Sequence, residues 1–115
     1  KDLIYSVALF KTSLSYQIVK QTGRMLLQLL SKEQSEVVDL LGKQSGRDVD
    51  KLAALAEKGC KIEFLDGIPY LAASLGVCEL EVLGWMDADD HEVSLCKVVR
   101  TVNVREGEVL YADFL

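Results

Sequence analysis

Apolar positions along this chain change period several times, and each change marks an element. Leu3 to Phe10 carries Ile4, Tyr5, Val7 and Phe10, which favour extended backbone, in a near-continuous apolar run. That run predicts a strand buried on both faces. Ser13 or Ser15 then offers a helix N-cap, and the helix runs to about Thr22 with Ile18 and Val19 as its apolar stripe. Gly23 stands where a left-handed C-terminal cap belongs. Met25 to Leu30 is too short for a core helix and predicts a second strand. Ser31 and Gln34 have capping-box spacing ahead of a helix that places Val37, Val38, Leu40 and Leu41 on one face and stops at Gly42.

Asp48 can cap a third helix over 49–58, with Leu52, Leu55 and Ala56 inward and Gly59 ending it. Cys60 to Phe64 predicts a small strand, and Gly67 to Leu71, with the only proline, an irregular segment. From Val77 onward the pattern is strand-like. Cys78, Leu80 and Val82 alternate with Glu79, Glu81 and Leu83, which predicts a face that is polar at its start. Asp87 to Asp90 reads as a loop, Glu92 to Val104 as a long strand, and Arg105 to Glu108 as a turn that returns the chain through Val109 to Tyr111. Trp85 and Met86 end an apolar strand and read as core. The order is strand, helix, strand, two helices, then an antiparallel meander. It predicts an α+β fold, mainly β, with a partly closed barrel and helices packed outside.

At 115 residues, half of them hydrophobic, the chain suits a single domain that needs no staples. A net charge of −5 without any basic run argues against nucleic acid as a partner. No segment reaches the roughly 18 apolar residues of a membrane span. Cys60, Cys78 and Cys96 lie far apart and His91 is the only histidine, so a metal site is not expected. The odd cysteine count predicts buried free thiols in a reducing, cytoplasmic setting.

Three places carry candidate chemistry. Lys11-Thr12-Ser13-Leu14-Ser15 lies where a strand meets a helix start. Unpaired amides and the helix dipole favour anions there. An ordinary polar N-cap is the plainer reading. Ser45-Gly46-Arg47-Asp48-Val49-Asp50-Lys51-Leu52 crowds cations and carboxylates between two helices. Arg47 and Lys51 suit a phosphate, or Asp48 and Asp50 neutralise them locally. His91 follows Asp87, Asp89 and Asp90 at a strand start, placed either to face a cleft or simply to sit in solvent. There is no G-x-S-x-G elbow, no G-x-G-x-x-G and no phosphate-binding Walker loop. A nucleotide site here is of another type.

These pieces, taken in order, resemble the flavin reductase-like FMN-binding domains. Ser45 to Leu52 is similar to the family's S-G-R-x-x-D-K-F signature. Residues 22–34, TGRMLLQLLSKEQ, are similar to its strand and helix start. Residues 67–84 and 87–98 resemble its later strands. The resemblance implies an FMN-binding split barrel, an antiparallel Greek-key type barrel with flanking helices, usually a homodimer. It implies FMN or alternatively FAD as cofactor, NADH or NADPH as co-substrate, and hydride transfer to flavin. The reduced flavin can supply a partner flavin-dependent monooxygenase. The same fold also serves non-enzymatic redox carriers, and a degenerate structural or interaction domain is a third possibility. By position, Lys11, Thr12, Ser13 and Ser15 are expected near the flavin phosphate, with Arg47 and Lys51 from the signature. His91 is expected on the nicotinamide and isoalloxazine side. Three departures stand out. The family's opening strands are missing, so the single domain over 1–115 is expected to be N-terminally incomplete. Asp89 replaces a glycine, and Leu52 replaces a common aromatic.

Overall fold

The computed structural model describes residues 3–42 and 50–108. Strand β1 (Ile4–Phe10) is followed by helix α1 (Leu14–Thr22) and strand β2 (Arg24–Leu29). A 3-10 turn, Lys32–Gln34, leads into helix α2 (Ser35–Gly42), and helix α3 (Lys51–Glu57) comes next. A small hairpin, β3 (Ile62–Leu65) and β4 (Ile68–Leu71), precedes two thirteen-residue strands, β5 (Gly76–Ala88) and β6 (His91–Asn103). The main sheet is antiparallel in the order β1-β6-β5-β2, and β3 and β4 pair separately. The α+β, mainly β expectation holds.

Local chemistry explains most boundaries. Ser13 caps α1 by accepting the Tyr16 N–H at 3.1 Å. Gly23, at φ 69°, closes it in the left-handed region. Its N–H donates to the Val19 carbonyl at 2.8 Å. Gln34 Oε1 accepts the Ser31 N–H at 2.8 Å, the return arm of the expected capping box. Arg105 donates to the Ser31 hydroxyl at 2.7 Å and to the Ala73 carbonyl at 2.8 Å, tying the chain after β6 to that cap.

Several expectations are corrected. The cap of α3 is Asp50, which accepts the Ala53 N–H at 3.1 Å. Asp48 lies outside the described residues. In α3, Ala54 and Leu55 turn inward while Leu52 and Ala56 are exposed. In α1, Val19 is buried and Ile18 exposed. Gly67 to Leu71 is not irregular: residues 68–71 form a strand. Pro69 sits in a two-stranded ladder opposite Phe64. A proline is tolerated where its missing N–H faces away from the partner. The supposed loop 87–90 is a two-residue turn, since Ala88 pairs with His91 and Asp87 with Glu92. Asp89 holds φ 65° there, a conformation aspartate tolerates. Residues 105–108 form no turn; the Lys32 N–H donates to the Glu108 carbonyl at 2.9 Å. The strand expected over 109–111 lies outside the described residues. Met86 is exposed rather than core, and Trp85 is half-buried. Cys96 is buried, but Cys60 and Cys78 are only partly so; all three are free thiols.

On β5 the expected polar face carries Glu79 and Glu81, but Glu79 is buried. The first register shift skips Val99 of β6 and the second skips Leu83 of β5, so alternation along β5 holds as far as Val82. Glu79 and Leu80 are both buried, on opposite sides. Glu79 accepts from Arg24 at 3.1 Å and from Arg100 at 2.9 Å. Arg100 also donates to Asp66 at 2.6 Å, in the β3–β4 turn. The buried carboxylate is therefore satisfied by two guanidinium groups.

Val37, Leu55 and Leu71 form a core, with Leu30, Ala54, Cys60 and Ile62 against it. Val19 of α1 and Leu80 and Cys96 of the main sheet are buried as well. Pairing puts Ile4, Lys97 and Glu81 in one row, Ala8, Val93 and Met86 in another, and Phe10, His91 and Ala88 in a third. These rows share the sheet face away from α1. On it Ile4, Phe10, Met86 and Leu95 are exposed.

Candidate functional site

The turn from β1 into α1 meets the turn from β5 into β6 at one end of the sheet. The Lys11 N–H donates to the Asp90 carbonyl at 3.0 Å, which fixes the Lys11 backbone against the second turn. The Lys11 ammonium pairs with the Asp87 carboxylate. That hydrogen bond, more than any other influence, raises the Lys11 pKa above its ordinary value and lowers that of Asp87. Ser13 is fully used by its own turn. Its hydroxyl accepts from Tyr16 and donates to the Phe10 carbonyl at 2.9 Å, and its N–H donates to the same carbonyl at 3.0 Å. The first-turn amides of Leu14 and Ser15 have no acceptor inside the helix. The Ser15 side chain is exposed, as is that of Thr12, which makes a contact of its own.

Behind this turn, α1 is fastened to the sheet by one carboxylate. Glu92 accepts from the Tyr16 hydroxyl and from the Lys20 ammonium, the latter at 2.9 Å. Tyr16 packs edge-on to Trp85, with ring centroids 5.9 Å apart. The Lys20 ammonium lies 4.7 Å from the centroid of the Trp85 ring, within cation–π range. Tyr16 and Lys20 are four residues apart on one helix, so both face the same strand. That spacing is legible in the sequence; its target, Glu92, is not.

The hydrogen bond from Tyr16, and then that from Lys20, holds the Glu92 carboxyl below its ordinary value of 4.5. A lowered carboxylate contributes stability above the ordinary value and loses it as pH falls through the folded value. Glu92→Gln is therefore expected to melt lower than the wild type at pH 7. Its melting temperature should also fall less steeply between about pH 5 and pH 3. Thermal melts across that range test this; parallel curves for the two proteins would contradict it. Asp87 and Asp90 keep their own acid sensitivity in the variant.

His91 sits at the same end of the sheet but belongs to the row on the face away from α1. Its Nδ1 lies 2.8 Å from Asp90 Oδ1, and its ring meets Phe10 edge-on at 5.9 Å. A carboxylate accepts, so Nδ1 carries the proton and Nε2 of the neutral ring is an acceptor. Asp90 thus touches both halves of the expected site, its carbonyl holding Lys11 and its carboxylate holding His91. Lys51 opens α3, which packs chiefly against α2, and Lys51 has a contact of its own. Arg47 lies outside the described residues. Lys11, Ser13 and His91 are thus brought to one end of the sheet, on two sides of it. Sequence reasoning missed Tyr16, Lys20, Trp85 and Glu92, and it treated Asp87 only as part of an acidic loop.

A concavity of about 530 Å³ opens between α2 and β4, with Glu33, Glu36, Cys60, Lys61 and Arg105 in its wall. None of the expected site residues line it. Among the described residues no cluster of His, Cys, Asp or Glu is placed to hold a metal ion. No helix among them is long and apolar enough to cross a membrane.

Residues 2–113 match a family profile described as flavin reductase like domain. Comparison with curated protein sequences gives no match. Among solved structures, the chain is similar to an FMN-binding protein from Thermus thermophilus, with a TM-score of 0.75 and 23% identity. That match covers 87% of this chain and 53% of the other. It is also similar to nitrilotriacetate monooxygenase component B from Mycobacterium thermoresistibile, with a TM-score of 0.75 and 26% identity over 91% of this chain and 55% of that one. An NADH:FAD oxidoreductase from Streptomyces globisporus matches with a TM-score of 0.75 and 15% identity, over 93% of this chain and 63% of that one. The chain thus spans between about half and two thirds of the length of these three structures. The curled antiparallel sheet with few helices is that of the flavin reductase split barrels.

Proposed function

This chain belongs to the flavin reductase like domain family, and from that membership we propose that it serves an FMN-binding flavin reductase. In this reading a hydride passes from NADH or NADPH to flavin. The observation that carries it is the convergence of Lys11, the free first-turn amides of α1 and the β5–β6 turn at one end of the sheet. The donor set suits a phosphate group: one ammonium on a fixed backbone, two helix amides without helical acceptors, and the exposed Ser15 and Thr12. Lys11, Thr12, Ser13 and Ser15 would hold that phosphate, with Ser13 acting by shaping the turn. Arg47 and Lys51 would add positive charge from the family signature.

Flavin, when bound, supplies the hydride acceptor. The chain's own residues bind and orient. The Glu92 link to Tyr16 and Lys20 holds α1, and with it the phosphate turn, against the sheet. His91 in its neutral form offers an acceptor at Nε2, so it favours a ligand that donates there. The apolar residues exposed on the sheet face away from α1 support a homodimer, and the reading places it in the cytoplasm. Reduced flavin would go to a partner monooxygenase, in keeping with the likeness to a monooxygenase component B.

The test is direct. The full-length protein is mixed with NADH or NADPH and with FMN, FAD or riboflavin, and the fall in nicotinamide absorbance is followed. Turnover with at least one pair is expected. A protein that keeps FMN through dialysis yet consumes neither nicotinamide would be a redox carrier. Failure to bind any flavin would leave a structural or interaction domain.

A further inference from the structure

The reading above gives Asp87 no part, yet Asp87 is what the Lys11 ammonium holds. We propose that Asp87 is an internal counter-ion that holds down the phosphate affinity of this site: it neutralises Lys11 in the flavin-free protein, and a flavin phosphate binds by taking its place. The inference rests on the flavin-binding reading and deepens it.

Geometry separates what is fixed here from what can move. The Lys11 backbone is pinned by its N–H bond to the Asp90 carbonyl at 3.0 Å, so only the side chain swings. The Asp87 side chain is 69% exposed and the Lys11 side chain 38% exposed, so water can replace either partner at little cost. Lys20, the other ammonium nearby, is committed to Glu92 at 2.9 Å and to the Trp85 ring. Asp90 is turned to His91 at 2.8 Å. Lys11 is therefore the cation of this cluster with an exchangeable partner.

The same surroundings explain why an exchange is needed. Asp87, Asp90 and Glu92 place three carboxylates around two ammonium groups, Lys11 and Lys20. While Asp87 occupies Lys11, a phosphate dianion meets a net negative surface. Once Lys11 turns to the phosphate, the ion pair is replaced by a stronger one, because a dianion carries more charge than a carboxylate. Riboflavin has no phosphate and gains nothing from the exchange. Asp87 thus raises the threshold for any anion that binds through Lys11.

The experiment measures FMN and riboflavin affinity for the full-length protein and for Asp87→Asn, Asp87→Ala, Lys11→Ala and the Lys11→Ala/Asp87→Asn double variant. Thermal melts establish that each is folded. Both Asp87 variants are expected to bind FMN about twofold to fivefold more tightly, with riboflavin unchanged. Most of that gain should vanish in the Lys11→Ala background. Weaker FMN binding by the Asp87 variants would overturn the proposal and make Asp87 a residue that positions Lys11. An equal gain with and without Lys11 would also overturn it, leaving Asp87 as a general repulsive charge. A wild type that binds no FMN, or a Lys11→Ala variant that binds it unchanged, would instead sink the phosphate-site reading beneath it.

Discussion

Lys11→Ala is expected to weaken FMN binding about tenfold to a hundredfold while leaving riboflavin affinity nearly unchanged. A charge-assisted bond between an ammonium and a phosphate oxygen is worth roughly one to two decades in affinity. The part of that strength spent on displacing Asp87 is small, because the Lys11–Asp87 pair is exposed. Structure argues against a folding role for the side chain. Lys11 follows the end of β1, and its backbone N–H bond to Asp90 survives truncation to alanine. Titration of both flavins by fluorescence quenching separates the outcomes. Equal weakening of FMN and riboflavin would mean that Lys11 supports the fold or the ring site, and the phosphate would have to lie elsewhere.

Leu80→Ala is expected to cost about 3 kcal/mol of stability, within the usual span for a leucine truncated in a packed core. Leu80 is 0% exposed and pairs with Met25 on one side and Val98 on the other, in the centre of the main sheet. Truncation leaves a void between three strands whose backbones are held by their ladders, so the site collapses poorly. The melting temperature should fall by about 10 °C or more for a domain of this size. Leu83→Ala serves as control. That leucine is 53% exposed at a register shift in the same strand and should cost less than about 0.5 kcal/mol. Urea unfolding of both variants decides the matter. Similar midpoints would mean that the sheet repacks around position 80.

How much of this was legible in the sequence depends on how local the signal was. Ser13, Gly23 and the Ser31–Gln34 pair declare themselves within four residues, and each boundary fell close to where it was expected. The β3–β4 hairpin was also legible but overlooked. Asp66 and Gly67, at φ 49° and 80°, are the aspartate–glycine pair that a two-residue hairpin turn prefers; Pro69 just after them argues locally against a strand. Alternation puts Glu79 on the same face as Glu81, but its burial was not legible, because Arg24 and Arg100, which cover it, come from other strands. The site divides in the same way. Lys11 and Ser13 announce a strand-to-helix turn. Their partners, Asp87 and Glu92, arrive from far along the chain, and only the register of β1 on β6 brings them together.

That register also fixes where chain entropy is spent. The two long strands meet first at Ala88 and His91, joined by two residues, so each further rung of their ladder closes a loop already nearly shut. Strand β1 has no such help. Phe10 must find His91, and Ile4 must find Lys97, across most of the length of the chain. Closure cost rises only slowly with separation, by about 0.6 kcal/mol per doubling, but between a two-residue turn and a span of this size the doublings accumulate. The edge that carries Lys11 is therefore the costliest part of the sheet to bring home, and the turn that carries Asp87, Asp90 and His91 the cheapest. The two halves of the proposed site stand at opposite extremes of that scale.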